Sequence, residues 1–406
     1  MEKISVSGAE MILDKSFRIG EIDRRMYGTF LEPIHNTVYG CLYDPAHPAA
    51  DENGFRRDVL SLLKELNTTF LRYPGGNFVS GYHWRDGIGP KEMRPVRYDL
   101  AWGQEDCNQV GIDEFCAMCR RLGTEPMLVV NLGTGTGEEA AQELEYCNYE
   151  GNTDLACERR KNGYEKPHAV RLWGLGNEMD GLHQIEHKTP QEYARRAVET
   201  ARMMRKLDPD IELVVCGSCS PEIDLPTYPE WDRIVLEETY PEVDYISLHR
   251  YYCYDPENDM YAHNTDTLED IAHLPEDIGS YIDTVMAASR FVQGKLRSSR
   301  QVGICFDEWG ILPGKKFDRL KYPCWEEICP DPGSSTALDA VLHGAFLITM
   351  LNRCDVVKAA CQSIVIGSMI RSEPGGGCFR QTTFYPFRDM AVWGRGVVLR
   401  QVYTGP

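Results

Sequence analysis

Five segments of this 406-residue chain end an apolar run in polar groups: Phe30-Leu31-Glu32, Arg72-Tyr73-Pro74-Gly75-Gly76-Asn77, Trp173-Gly174-Leu175-Gly176-Asn177-Glu178, Ser247-Leu248-His249-Arg250-Tyr251-Tyr252 and Cys305-Phe306-Asp307-Glu308-Trp309. An isolated carboxylate at the end of a buried strand is strongly penalised. If folding brings Glu178 and Glu308 to opposite sides of one cleft, they form the pair that glycosidic-bond cleavage requires. One carboxyl protonates the departing oxygen, and the other attacks the anomeric carbon or activates a water that attacks it. Their surroundings must differ, so that one stays protonated and one ionised near neutral pH. Arg72 is a charge partner for one of them. The competing reading leaves both glutamates as idle, solvated strand ends.

Three other patterns resemble reactive sites. His183-Gln184-Ile185-Glu186-His187 matches the His-x-x-Glu-His form of inverted zinc proteases, which needs both histidines on one helical face. Thr189-Pro190 is a helix-start signal and puts both histidines in the loop before the helix, so no metal is expected. Cys116-x-x-Cys119 and Cys216-x-x-Cys219 lack tight zinc-ribbon spacing. Gly133-Thr134-Gly135-Thr136-Gly137 has neither the Gly-x-Gly-x-x-Gly register nor a Lys-Ser/Thr, and reads as a turn from strand to helix. No cofactor is expected.

The elements that would position these groups alternate along the chain. Apolar continuity predicts strands at Met26–Glu32, Thr69–Tyr73, Pro126–Leu132, Arg171–Asn177, Glu212–Gly217, Asp244–Tyr251, Gln301–Glu308 and Val356–Ile366. Helical periodicity predicts Asp58–Leu66, Ile112–Leu122, Glu138–Cys147, Pro190–Leu207, Trp231–Thr239, Ser280–Lys295 and Ala337–Asn352 between them. This is the order of an α/β chain, either a (β/α)8 TIM barrel or a doubly wound open sheet. A barrel gathers the polar strand ends on one face, and no switch-point signature speaks for the open sheet. The ends depart from the repeat. Residues 1–22 predict a β-arm, with Ile4, Val6, Met11, Leu13 and Phe17 partly alternating with polar neighbours. Residues 23–370 predict the catalytic barrel. Residues 371–406 predict a β extension built on Thr382–Phe387 and Val392–Tyr403, and the two tails are expected to pair into a small satellite sheet.

Composition narrows the partners. Sixty-two acidic against 43 basic residues leave a net charge of −19, which argues against phosphate neutralisation and against docking on anionic membranes. Neither nucleic acid nor membrane is expected, and no run approaches a membrane span in length and apolarity. Fifteen scattered cysteines and an N-terminus without an apolar signal region predict free thiols in a reducing cytoplasm.

Phe30-Leu31-Glu32, Arg72-Tyr73-Pro74-Gly75-Gly76-Asn77-Phe78, Leu175-Gly176-Asn177-Glu178-Met179-Asp180-Gly181, Tyr245-Ile246-Ser247-Leu248-His249 and Phe306-Asp307-Glu308-Trp309 together resemble the glycoside hydrolase family 51 α-L-arabinofuranosidases. The resemblance runs from the first strand to about Arg395. It implies a (β/α)8 barrel with short terminal β extensions, the C-terminal one an incomplete β-sandwich in a shortened form of the family. It implies a retaining, exo-acting enzyme that releases arabinose from arabinoxylan or arabinan oligosaccharides, with Glu178 as acid/base and Glu308 as nucleophile. Asn177 would bind the sugar 2-hydroxyl, Glu32 and Asn77 the other hydroxyls, and Arg72 and Tyr251 would orient Glu308. Gln362 would line the sugar pocket, and copies of the chain would assemble as a homo-oligomer. The chain departs from the family pattern at Arg250, at Gly310-Ile311-Leu312-Pro313 and at Ser363-Ile364-Val365. These departures keep open a β-xylosidase or an endo-β-1,4-glucanase or xylanase of the same family. A catalytically idle sugar-binding barrel is the alternative of another class. Arg250 is expected to point away from the sugar.

Overall fold

Eight parallel strands close into a barrel in unbroken chain order. They are β1 Arg25–Phe30, β2 Phe70–Tyr73, β3 Glu125–Val130, β4 Leu172–Leu175, β5 Glu212–Cys216, β6 Tyr245–Cys253, β7 Gly303–Leu312 and β8 Val357–Gln362. The closed order settles the choice between barrel and open sheet. The structure, a computed structural model, describes residue 8 and residues 10–221, 227–253, 271–312 and 335–404. Ile4, Val6 and Pro313 lie outside the described residues.

Side chains alternate along each strand, so one set fills the barrel and the other packs under the helices. Phe30, Phe70, Met127, Val129, Leu172, Val214, Cys305, Ala359 and Cys361 form the inner cluster. Leu71, Tyr73, Leu128, Val130, Trp173, Leu175, Val215, Phe306 and Ala360 belong to the outer one. With both faces covered, the strands read as nearly continuous apolar runs.

The helices are α1 Arg57–Leu66, α2 Ile112–Leu122, α3 Gly137–Asn148, α4 Asp154–Lys161, α5 Pro190–Leu207, α6 Glu230–Thr239, α7 Leu274–Leu296, α8 Ala337–Leu351 and α9 Phe384–Trp393. At the start of α5 the Thr189 hydroxyl accepts from the Glu192 amide while the Glu192 carboxylate accepts from the Thr189 amide, and Pro190 takes the first helical position. Two helices depart from the sequence reading. α4 was not expected, because only Leu155, Ala156 and Arg159 of its eight residues are buried and the periodicity is faint. α9 takes Phe384–Phe387 of the segment read as β from Thr382 to Phe387 and Val392–Trp393 of the one read from Val392 to Tyr403, in which only Val397–Leu399 and Val402–Thr404 are strands. Its buried Phe384, Phe387 and Ala391 recur at helical spacing, which outweighs the aromatic content that suggested β structure.

The chain ends pair with each other. Glu10–Ile12 lies antiparallel to Val402–Thr404, and Arg18–Glu21 to Val397–Leu399.

The bottom of the barrel is closed by charge. Arg25 at the start of β1 donates to both oxygens of Glu125 at the start of β3 and of Glu212 at the start of β5, over distances of 2.6 to 3.0 Å. The Tyr245 hydroxyl adds a bond to Glu212 at 2.6 Å. Arg25→Leu leaves two inward-facing carboxylates without their shared cation and should destabilise the protein by about 2–4 kcal/mol. Denaturant unfolding measures this loss, while turnover by the folded fraction should persist because the polar strand ends lie at the opposite mouth.

Candidate active site

Arg72 is the first inward-facing residue after Phe70 on β2, and its guanidinium stands 5.1 Å from the centre of the Phe30 ring. Nη1 donates to Glu308 Oε1 at 2.6 Å, Nη2 to Asn177 Oδ1 at 2.6 Å, and Nε lies 3.3 Å from Asp307 Oδ2. All four residues are buried. Burial opposes a charge on Asp307, yet Arg72 and His249 hold its carboxyl below the usual range.

Consecutive residues of a regular strand face opposite ways, so a single guanidinium should not reach both Asp307 and Glu308. A bulge in β7 makes it possible. Ser247 pairs with Cys305 and His249 with Glu308, so three steps along β7 match two along β6. The extra residue turns Glu308 inward after Asp307 and sends Trp309 outward against His343 and Phe346 of α8.

On β6, Ser247, His249 and Tyr251 share the inner face. The Tyr251 hydroxyl donates to Glu308 Oε2 at 2.6 Å, so each oxygen of Glu308 has its own donor. His249 Nδ1 lies 2.8 Å from Glu178 Oε1 and 3.7 Å from Glu308 Oε2, and its Nε2 faces Asp307 and Ser247. Burial works against its charge, but Glu308, Asp307 and Glu178 outweigh it and push the imidazole up to about 10.

Glu178 follows β4 through Gly176, whose φ is 87°, and itself adopts a φ of 46°. A left-handed backbone at a non-glycine residue costs roughly 1–2 kcal/mol and turns this side chain back over the barrel mouth. Glu178 Oε2 lies 2.7 Å from His183 Nε2. Burial favours the neutral acid here, but the bonds to His183 and His249 win and hold the carboxyl far below its ordinary range.

Glu32 accepts from the Phe78 amide and from Trp102 Nε1, both at 2.9 Å. A Cβ added at Gly76 would lie 3.1 Å from Glu308 Oε1 and 3.2 Å from Glu32 Oε2, so Glu32 borders the same space as Glu308 and the glycine keeps it open. Burial, reinforced by the charge of Glu308, pushes Glu32 up to about 8. Asn77 Oδ1 accepts from Gln184 Nε2 at 3.1 Å and from Asn177 Nδ2 at 3.4 Å.

Seven of the eight site residues expected from sequence therefore gather at the mouth: Glu32, Arg72, Asn77, Asn177, Glu178, Tyr251 and Glu308. Gln362 is not among them. It follows inward-facing Cys361, so its side chain points to the helix layer. There its Nε2 lies 2.7 Å from Ser363 O, 2.8 Å from Ser368 Oγ and 3.4 Å from His343 Nε2. Strand alternation overrides the expected pocket role. Arg250 also faces outward, donating to Asp277 of α7 at 2.8 Å and stacking over Tyr252.

The sequence reading missed Asp307, His249, His183, Trp102 and Gln184 as site residues. The inner-face spacing Ser247-His249-Tyr251 could have flagged His249. Trp102 comes from a hairpin, Arg97–Asp99 with Gln104–Asp106, that no local pattern links to Glu32.

One oxygen each of Glu178 and Glu308 and His249 Nδ1 lie within 4.8 Å of one another. Three such atoms are as many protein ligands as a catalytic zinc uses. Here the imidazole already bonds Glu178, and Arg72 and Tyr251 occupy Glu308, so hydrogen-bond donors fill the space between the carboxylates. His183 and His187 sit in the loop before α5, with His183 turned to Glu178 rather than toward His187. An oxygen of Glu178 and one of Glu308 lie within 4.8 Å of each other, closer than the roughly 6.5–9.5 Å between the carboxyls of inverting glycosidases.

Glu32 provides a pH test. A folded-state value of about 8 against an ordinary 4.5 means that the folded protein binds more protons than the unfolded chain between those limits. Stability is then lost as pH rises through that window. Glu32→Gln should unfold like wild type near pH 4.5 and be about 1–3 kcal/mol more stable near pH 9, as read from thermal unfolding at each pH.

The α-L-arabinofuranosidase 1 domain family matches residues 62–272, and the α-L-arabinofuranosidase C-terminal domain family matches residues 307–406. An intracellular exo-α-(1→5)-L-arabinofuranosidase from Acetivibrio thermocellus is 44% identical over 98% of this chain and 78% of its own length. A Bacillus subtilis protein named intracellular exo-α-(1→5)-L-arabinofuranosidase 1 is 43% identical over the same shares. Among solved structures, a family 51 α-L-arabinofuranosidase from Bifidobacterium longum superposes with a TM-score of 0.91 at 38% identity, covering 99% of this chain and 79% of that one.

Proposed function

We propose that this chain, which belongs to the α-L-arabinofuranosidases of glycoside hydrolase family 51, is a retaining, exo-acting α-L-arabinofuranosidase that releases arabinose from arabinoxylan or arabinan oligosaccharides. The observation that carries the mechanism is the pair Glu178 and Glu308, with an oxygen of each within 4.8 Å across one buried mouth.

Glu308 is the nucleophile. Arg72 and Tyr251 fix both of its oxygens, so attack on the anomeric carbon costs little reorientation. Glu178 is the acid/base: it protonates the departing oxygen, then removes a proton from the water that hydrolyses the glycosyl-enzyme. Asn177, held by Arg72, binds the 2-hydroxyl, and Glu32 and Asn77 bind the remaining furanose hydroxyls. A Glu32 side chain that keeps its proton near neutrality donates to a sugar oxygen without adding a second negative charge beside the nucleophile.

A cytoplasmic location is supported by the relatives' names. Self-assembly is supported by the exposed Met93, Val96, Tyr98 and Leu100, which cluster in one stretch of sequence.

Leaving-group dependence separates the two glutamates. Glu178→Ala should cost glycosylation little with a nitrophenyl arabinofuranoside, whose leaving group needs no proton. It should cost about 10²–10⁴-fold with an oligosaccharide. The intermediate should accumulate on the activated substrate, and azide should restore turnover. Glu308→Ala should abolish both reactions. Equal losses for Glu178→Ala on both substrates without azide rescue would sink the assignment.

A further inference from the structure

His183 has no part in the mechanism above, yet it makes one of the shortest contacts to the acid/base, 2.7 Å from Nε2 to Glu178 Oε2. Its ring is 39% exposed, whereas His249 on the other Glu178 oxygen is buried. The charges at the mouth leave room for it. Glu178, Asp307 and Glu308 are three carboxylates in contact with two buried cations, Arg72 and His249. A proton on His183 supplies the third positive charge.

We propose that His183 is a positioning residue that stores the proton Glu178 delivers to the leaving group, so that the two side chains act as one acid. This rests on the assignment of Glu178 as acid/base. In the free enzyme the proton sits on His183 beside an ionised Glu178. Nε2 of His183 passes its proton to the Glu178 carboxylate, which delivers it to the glycosidic oxygen as that bond breaks and its electron pair leaves with the oxygen. When water attacks the glycosyl-enzyme, Glu178 accepts its proton and returns one to His183. The exposed ring exchanges with solvent, whereas Asp307 and Ser247 hold the second nitrogen of His249. The pairing raises His183 above its ordinary range, chiefly through the bond to Glu178.

Among the described residues, the other titratable groups acting on this pair come from four elements, one of them the Cys219 thiol after β5, which burial and then Asp180 and Glu178 push up. Asp180 in the same loop is pushed by burial up to about 7 and accepts from the Cys219 amide at 3.0 Å. His249 and Tyr251 face the mouth from β6, and Glu308 from β7. Of these only His183 is both bonded to Glu178 and open to solvent.

His183→Gln keeps a hydrogen-bond donor in reach of Glu178 but cannot carry the proton. The proton must then reside on Glu178, next to the cationic His249, and is lost at lower pH. The alkaline limb of kcat/KM on an arabinan oligosaccharide should move down by about one pH unit, about tenfold in rate at a fixed pH on the limb. On nitrophenyl arabinofuranoside, which needs no acid, the profile should coincide with wild type, and this arm also reports that the variant is folded. An unchanged limb on the oligosaccharide, an equal shift on both substrates, or loss of both activities would overturn the proposal. Azide rescue of Glu178→Ala is scored separately, so a failure of the acid/base assignment is told apart from a failure of His183 alone.

Discussion

A single buried guanidinium organises the mouth of this barrel. Arg72 reaches Asp307, Glu308 and Asn177 with three different nitrogens, joining β2 to β7 and to the segment after β4. Such a cation is tolerable only with its partners in place, and they are tolerable only with it, because each unpaired charge would carry several kcal/mol of desolvation. The planar fork of arginine matches this arrangement, whereas a lysine would present one point charge where two directed hydrogen bonds and an ion pair are needed. The apolar barrel interior below, with Phe30 against the guanidinium, excludes water and strengthens those contacts.

The two ends of the barrel use charge differently. At the bottom, Arg25 bonds Glu125 and Glu212 bidentately and Arg24 adds a second cation on Glu125, so two carboxylates meet two arginines. At the mouth, three carboxylates meet two buried cations, so charge remains to be shared with a ligand or a solvent-linked group. Burial pushes Glu32 up, the bonds to His183 and His249 hold Glu178 down, and the surrounding carboxylates raise His249 against its burial. Groups driven apart in this way divide acid and base roles near neutral pH.

Much of this was legible in the amino-acid order. Apolar runs alternating with amphipathic ones, and polar residues at the ends of those runs, are local properties, and the barrel follows from them with its site at the polar ends. Glu178, Glu308 and Arg72 stood out because a charge after an apolar strand demands a partner. The need for glycine at 75 and 76 was not legible there, because the Glu32 and Glu308 atoms that a Cβ would meet are brought in only by the fold. The C-terminal helix was misread because Phe and Tyr favour strands in isolation, whereas the spacing of Phe384, Phe387 and Ala391 decides the matter once a surface is there to pack against.

The sequence by itself determined which residues carry charge, which runs are apolar and in what order the strands come, since these depend on neighbours within a few positions. Tertiary structure decided which way each strand-end side chain points. A one-residue bulge in β7 puts Asp307 and Glu308 on the same side, and the alternation from Ala359 to Gln362 in β8 turns Gln362 away from the pocket. It also decided the protonation states. The carboxyls of Glu32 and Glu178 are chemically identical, and only the apolar wall around one and the two imidazoles against the other drive them apart. His249 lies 71 residues from Glu178 and Trp102 70 from Glu32, and these pairs meet only when the barrel closes.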